Sequence, residues 1–393
     1  MFKKVRLVQA TLASLYLMGC TTSTTTPQAA TTTTPSALLS SAESSTDLAP
    51  VESKTRSKQQ TIYPTSGDSL QSRTRYINAD GSFIEPIQHW IEELATANHL
   101  DKNQLIALLK TADFNPKVAQ LMAPSKGRIK RSWSTYKSRF IEPIRIQAGL
   151  DFWDQHADLI AQTAQSYGVP EEILVAIIGV ETIYGRYTGD FRVLDALLTL
   201  GFSYPDDQRP ERAAMFRKQL ADLILLHDQK KLDALQVKGS YAGAMGLPQF
   251  MPTSLQHYAV DADNDQRIDL FNSMPDILAS VANFLIAHGW QPGLEVFIPM
   301  RLEPQQAKQL VDGGLKPRLS WKKITPAAIH IPPAKNTWQT QPLGVIDLIE
   351  ESQGTAEYRV ATENFYAITS YNRSYFYAAT VADFAQLLAE RRP

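Results

Sequence analysis

Apolar side chains recur every three or four residues from Ser82 to about Gly289, the interval that lines one face of a helix. Ile87, Trp90, Ile91 and Leu94 form one such stripe, and Leu105, Ile106, Leu108 and Leu109 form the next. The spacing predicts a helix over 152–167, stopped by Gly168. Another opens at Pro170, since proline suits the first helical turn. This helix, 170–184, is different in kind. Ile173, Leu174, Val175, Ile177, Ile178 and Val180 leave it no polar face, and a helix apolar all round belongs inside a domain. Helical spacing continues over 191–200, 212–227 and 277–288.

After Trp290 the texture changes. Val296-Phe297-Ile298, Leu343-Gly344-Val345-Ile346 and Tyr358-Arg359-Val360 are short β-like runs, broken by Pro304, Pro317, Pro326, Pro332 and Pro333. They predict a small β-rich lobe over about 291–362, with helix returning over 381–390. Helices followed by strands give an α+β class, predominantly helical.

The N-terminus has a different character. Lys3, Lys4 and Arg6 precede a short apolar stretch from Leu7 to Met18, and Leu17-Met18-Gly19-Cys20 reads as a lipobox. A membrane-spanning helix needs about 20 apolar residues, so residues 1–19 are expected to be a lipoprotein signal peptide, set aside from the fold. Lipidation would fall on Cys20, the only cysteine in the chain. An ordinary secretory signal with an incidental Cys20 is the alternative. With Cys20 acylated no disulfide can form, so stability must come from a core. Residues 20–75 are rich in Thr, Ser, Ala and Pro, as in Thr24 to Thr26 and Thr31 to Thr34. Such a segment buries too little apolar surface to order itself and is expected to be a flexible tether. At roughly 3.3–3.6 Å per extended residue it would reach far from a membrane. Residues 76–393 remain as the folded domain. Because Thr21 rather than Asp follows the cysteine, the expected location is the outer membrane, facing the periplasm.

Net charge changes the picture little. At −1, with a pI near 6.7 and no basic stripe, the chain is not expected to bind nucleic acid.

Two features carry candidate chemistry. Glu181 lies three residues after Ile178 and seven after Leu174, so the three share one helix face. If that face is buried, desolvation disfavours the charged carboxylate and raises its pKa, as a general acid requires. A helix-terminal Glu that simply meets solvent is the alternative. About sixty residues later, Gly239, Ala242, Gly243 and Gly246 would let backbone approach a ligand closely. Ser240 and Gln249, beside them, could hydrogen-bond sugar hydroxyls or an N-acetyl group. A Gly-rich packing turn reads the same residues without a ligand.

The residues around these two features, taken together, resemble a known family. Val180-Glu181-Thr182 with Tyr184-Gly185-Arg186, and Gly239 to Gly246 with Pro248-Gln249-Phe250-Met251-Pro252, resemble the lytic transglycosylases of the membrane-bound murein transglycosylase B type. Ser280-Val281-Ala282-Asn283-Phe284, His288-Gly289-Trp290 and Tyr371-Asn372-Arg373-Ser374 agree as well, so the likeness runs from about Phe83 to the C-terminus. It implies a lysozyme-like core with a helical lobe and a small β-rich lobe. The implied substrate is peptidoglycan, cut between N-acetylmuramic acid and N-acetylglucosamine to leave a 1,6-anhydro ring. Glu181 matches the family's acid/base, and Ser240, Gln249, Tyr136, Tyr371, Asn372 and Tyr377 match residues lining its glycan groove. Arg212 aligns with one of a basic pair after the family's Tyr-Pro. Here Tyr204-Pro205 is followed by the insertion Asp206-Asp207-Gln208, and the neighbour of Arg212 is Glu211.

Ordinary glycosidases place two carboxylates across the scissile bond. With Glu181 alone, a tethered C6 hydroxyl would take the place of water. Asp190 or Asp195 as a second carboxylate would instead make a hydrolytic muramidase, and an inactive glycan-binding lipoprotein is a third reading. The implied partners are glycan strands and, through the anchor alone, a membrane, with room for cell-wall synthesis or turnover proteins.

The chemistry needs no cofactor, but 261–272 has the spacing of a calcium loop. Asp261, Asp263, Asp265 and Asp269 fall at positions 1, 3, 5 and 9, and Arg267 could lend a carbonyl at position 7. Gln266 replaces the turn glycine and Asn272 the bidentate Glu, so Ca2+ or Na+ would be held weakly. An acidic surface turn without metal is the alternative.

Overall fold

The computed structural model describes residues 75–392 apart from 126, 128, 129, 334 and 335. The signal peptide, Cys20 and nearly all of the tether lie outside the described residues. Among the described residues no helix is long and apolar enough to cross a membrane.

The helical part opens with α1 (Glu85–Asn98), α2 (Lys102–Leu109) and α3 (Pro116–Met122). Side chains set their ends: Asp101 and Asn115 each accept two backbone N–H bonds in the first turn of α2 and α3. Next come α4 (Trp133–Ser138), α5 (Pro143–Gln155) and α6 (Ala157–Tyr167). The helix expected over 152–167 is therefore two. The chain turns at His156, with φ −120° and ψ 23°, and that residue caps both pieces. Gly168 stops α6 in the left-handed conformation, as its lack of Cβ permits.

Helix α7 (Glu171–Thr182) is the centre of the molecule, with every residue from Ile173 to Thr182 buried. Its apolar girth is matched by neighbours all round: α5, α6, α11 (Met274–Ala287) and α16 (Tyr375–Arg391) pack against it. Between α7 and α11 run β1 (Phe191–Arg192), α8 (Val193–Phe202), α9 (Pro210–Asp228), β2 (Lys238–Gly239) and α10 (Pro252–Tyr258). The helix expected from 191 thus begins two residues late. Phe191 and Arg192 pair antiparallel with Gly239 and Lys238, a tertiary contact that local spacing does not encode.

The β-rich lobe contains β3 (Phe297–Ile298), β4 (Arg301–Leu302), α12 (Pro304–Leu310), α13 (Trp321–Ile324), β5 (Ala328–His330), α14 (Asn336–Thr340), β6 (Gly344–Glu350) and β7 (Thr355–Ala361). Its main sheet has the antiparallel order β3-β7-β6, with Phe297 and Gly344 both facing Ala361. Leu294, Ile298, Met300, Trp338, Val345 and Val360 form a second core there, separate from the main one. The short helices within this lobe, and α15 (Glu363–Thr369) behind it, were not legible in the spacing.

Candidate active site

Glu181 is the penultimate residue of α7, and the chain leaves that helix under strain. Ile183 and Tyr184 take left-handed φ values of 50° and 56°, followed by Gly185 at 87°. A β-branched residue in that region is an outlier, so the surroundings must hold the turn. Thr182 does much of this: its Oγ1 donates to Leu247 O at 3.0 Å and accepts from Gly185 N at 3.0 Å. Tyr187 N closes the turn on Thr182 O at 3.0 Å.

The Glu181 side chain is 8 % exposed. The phenol of Tyr377, fully buried on α16, donates to its Oε1 at 2.6 Å, a short hydrogen bond to a carboxyl group. Two helices that pack directly on each other therefore fix the carboxyl group, one carrying it and the other orienting it.

The Gly-rich segment lies beside this helix end through the bond between Thr182 and Leu247. Residues 239–252 are buried without exception. Ser240 Oγ accepts from Ala244 N at 3.0 Å, and Ser240 N donates to Ala244 O at 2.8 Å. Gln249, at φ 51°, donates through Nε2 to Thr188 O and Gly246 O at 3.1 and 3.0 Å. Glycine is required at 246, where φ is +70° and a Cβ would run into the Leu270 carbonyl.

The other expected groove residues fall into two groups. Tyr371 is fully buried, its ring 4.6 Å from that of Phe284 and 5.9 Å from that of Phe250. Arg212 is also buried, donating through Nε to Tyr204 Oη at 3.2 Å, close enough to Tyr241 for its charge to be felt there. Burial, then the Tyr204 phenol, holds Tyr241 above the usual tyrosine range. Tyr136 and Asn372, in contrast, are only half-buried. The Tyr136 ring rests on Phe140 at 5.1 Å and on Phe376 at 5.5 Å, beside Tyr377.

Asp195 has partners of its own. It accepts from Asp113 N at 2.9 Å and pairs with Arg192 at 2.9 Å, which docks the α2–α3 connection onto α8. Burial raises its carboxyl above the usual range. Asp190 is exposed before β1.

In the acidic loop, Asp261 and Asp263 converge with Asp276, one ligand atom from each lying within 4.8 Å of the others. Asp276 falls outside the twelve-residue frame. It sits in the first turn of α11, where the Ser273 side chain caps the helix by accepting from Asp276 N. Backbone N–H groups of the loop bond to all five of these carboxylates: Gln266 N to Asp261, Asp265 N to Asp263, and Ala262 N and Asp269 N to Asp276, while Asp265 and Asp269 lie outside the converging three. Asp265 Oδ1 accepts from Arg267 N at 2.8 Å, and Asp269 takes Phe271 N, Asn272 N and Asn272 Nδ2. Burial pushes the Asp269 carboxyl up, but those bonds outweigh it and hold it below the usual range. Asp261 Oδ1 is buried with no hydrogen-bond partner. An orphaned carboxylate oxygen among three like charges suits a hard cation with oxygen ligands.

With this geometry in hand, comparison with known proteins is informative. Residues 82–386 match the family model described as the Transglycosylase SLT domain. The membrane-bound lytic murein transglycosylase B of Escherichia coli (strain K12) is 36% identical over 365 residues, covering 89% of this chain and 95% of that protein. The structure of catenated lytic transglycosylase SltB1 from Pseudomonas aeruginosa superposes with a TM-score of 0.71 at 37% identity, covering 80% of this chain and 100% of that one. Escherichia coli Slt35 in complex with calcium gives 0.68 at 35%, covering 82% and 98%. SltB3 from Pseudomonas aeruginosa in complex with NAG-anhNAM-pentapeptide gives 0.64 at 27%, covering 77% and 79%. The lysozyme-like, largely helical architecture is shared with these structures.

Proposed function

The chain belongs to the transglycosylase SLT-domain family, lytic transglycosylases that cleave murein, and from that membership we propose that Glu181 alone supplies the acid and the base. The observation that carries this reading is the buried Glu181 carboxyl group, oriented by Tyr377 at 2.6 Å. Of the two other acids the sequence offered, Asp195 is engaged by Asp113 N and Arg192, and Asp190 is exposed.

Glu181 donates its proton to the glycosidic oxygen as the bond from the muramyl C1 breaks, and N-acetylglucosamine leaves with a free 4-hydroxyl. The resulting carboxylate takes the proton of the muramyl C6 hydroxyl as that oxygen bonds to C1. The 1,6-anhydro ring closes, Glu181 is protonated again, and no water is consumed. A tethered nucleophile brings a high effective molarity, which makes a second carboxylate unnecessary.

Tyr136 and Asn372, with part of their surface open, are proposed to meet the sugars. Ser240, Gln249, Arg212, Tyr371 and Tyr377 shape the wall from behind. Asp261 and Asp263 with Asp276 would hold a weakly bound Ca2+ or Na+, with Asp265, Arg267 and Asp269 shaping the loop. Leu247 N donates to Leu270 O at 2.9 Å, so this loop braces the Gly-rich segment and, through Thr182, the end of α7. The relative is named membrane-bound, and the lipobox at Cys20 supports an outer-membrane lipoprotein acting on peptidoglycan from the periplasmic side.

Digestion of purified sacculi in water labelled with heavy oxygen tests the reaction type. The proposal predicts no label in the muramyl products. One labelled oxygen at the muramyl C1 would make the enzyme a hydrolase.

A further inference from the structure

Arg145 is a buried arginine whose guanidinium is engaged by main-chain carbonyls. It lies on α5 with 8 % exposure. Its Nε donates to Gly179 O at 2.9 Å, and its Nη1 donates to Arg139 O and Phe140 O, both at 2.8 Å. Its carboxylate neighbour Glu142 stands 4.0 Å away and is already taken up in capping α5 through Ile144 N and Arg145 N. Desolvating a guanidinium is costly unless its fork is well matched, so this placement calls for an explanation.

The carbonyls it joins supply one. Gly179 is two residues before Glu181, in the last turn of α7, where carbonyls gather partial negative charge and a cation is favoured. Its carbonyl also receives Ile183 N at 3.1 Å, the first bond of the strained exit. Arg139 and Phe140 follow the end of α4, the helix that carries Tyr136. The guanidinium carbon sits 5.2 Å from the centre of the Phe140 ring, and that ring supports Tyr136. One planar fork thus ties the ends of two helices, one bearing the carboxyl group and the other bearing an open aromatic of the proposed groove. A lysine has the charge but not the fork.

We propose that Arg145 is a positioning residue that sets the placement of Glu181 against the Tyr136 wall. It touches no substrate and acts through Gly179 and the 139–140 turn. The proposal rests on Glu181 being the acid/base.

The test is Arg145→Lys in the full chain in detergent. It compares kcat on sacculi well below the melting temperature with sacculus binding measured in the Glu181→Gln background. A displaced acid should lower kcat about tenfold to a hundredfold, the scale on which small misplacements act, while binding changes less than threefold. A wild-type kcat per folded molecule, with only a lower melting temperature, would reduce Arg145 to a structural residue and overturn the proposal. Equal losses in kcat and binding would overturn it too, by showing that the whole groove collapses. Should Arg145→Lys not fold, Arg145→Gln, neutral and with one amide nitrogen in place of the three-nitrogen fork, is judged by the same split. The wild-type product reports separately on the reaction: reducing ends there would refute the transglycosylase reading while leaving the Arg145 comparison legible.

Discussion

Residues 239–252 and 261–272 are neighbours in the chain, both largely irregular and both rich in residue types that carry chemistry, yet they fold under different constraints. The first is buried throughout, and its polar atoms satisfy backbone: Ser240 Oγ takes Ala244 N, and Gln249 Nε2 reaches two carbonyls. The second leaves residues 263–267 exposed and gathers like charges, with one buried carboxylate oxygen unpartnered. In the buried loop, hydrogen-bonding potential is consumed by the need to satisfy every desolvated group. In the exposed loop, water tolerates charges that only a cation would hold together. The difference teaches that a polar residue type in a motif does not by itself mark a ligand contact. What marks one is an atom that the fold leaves without an internal partner.

The sharpest way to break this contrast is Gly246→Ala. With φ at +70° and the Leu270 carbonyl in the path of a Cβ, it should destabilise the protein by about 3 kcal/mol, read by chemical denaturation. A loss under about 1 kcal/mol would mean that the buried loop yields as easily as the exposed one. Ser240→Ala comes next. It leaves a buried Ala244 N–H without its side-chain acceptor and should cost about 1–2 kcal/mol, with activity per folded molecule nearly intact. If activity falls while stability holds, Ser240 touches substrate and the buried loop is more than a wall.

The exposed loop should respond to a cation. Calcium at ten times its Kd should stabilise the protein by about 1.4 kcal/mol, and Asp261→Asn should abolish the response. An unchanged melting temperature in wild-type protein would make the loop an acidic turn. Asp265→Asn, which only adjusts a backbone bond at the surface, should change stability by less than about 0.5 kcal/mol.

Much of this architecture is legible in the sequence. The central helix announced itself through an unbroken apolar girth, and Glu181 stood at its end. What stayed illegible shares a cause: each instance depends on contacts distant in sequence. Phe191 and Arg192 are a strand only because Lys238 and Gly239 pair with them. Asp276 joins the carboxylate cluster because α11 starts against the loop, whereas a twelve-residue frame looks for the last ligand at Asn272. The break at His156 and the role of Arg145 carry no local signal, since a polar residue on a helix reads as a surface position until burial is known. Ser240 was legible as a small polar residue in a glycine-rich turn, but only the fold shows that its hydroxyl accepts a bond from the turn itself.

The most direct test of the central claim is the mass of the muramyl ends released from purified sacculi by the wild-type chain beside Glu181→Gln. A single acid/base with an internal nucleophile predicts ends one water lighter than hydrolytic ones from the wild type, and at least a hundredfold fewer from the variant. Reducing ends from the wild type, or anhydro ends at an undiminished rate from folded Glu181→Gln, would contradict the account.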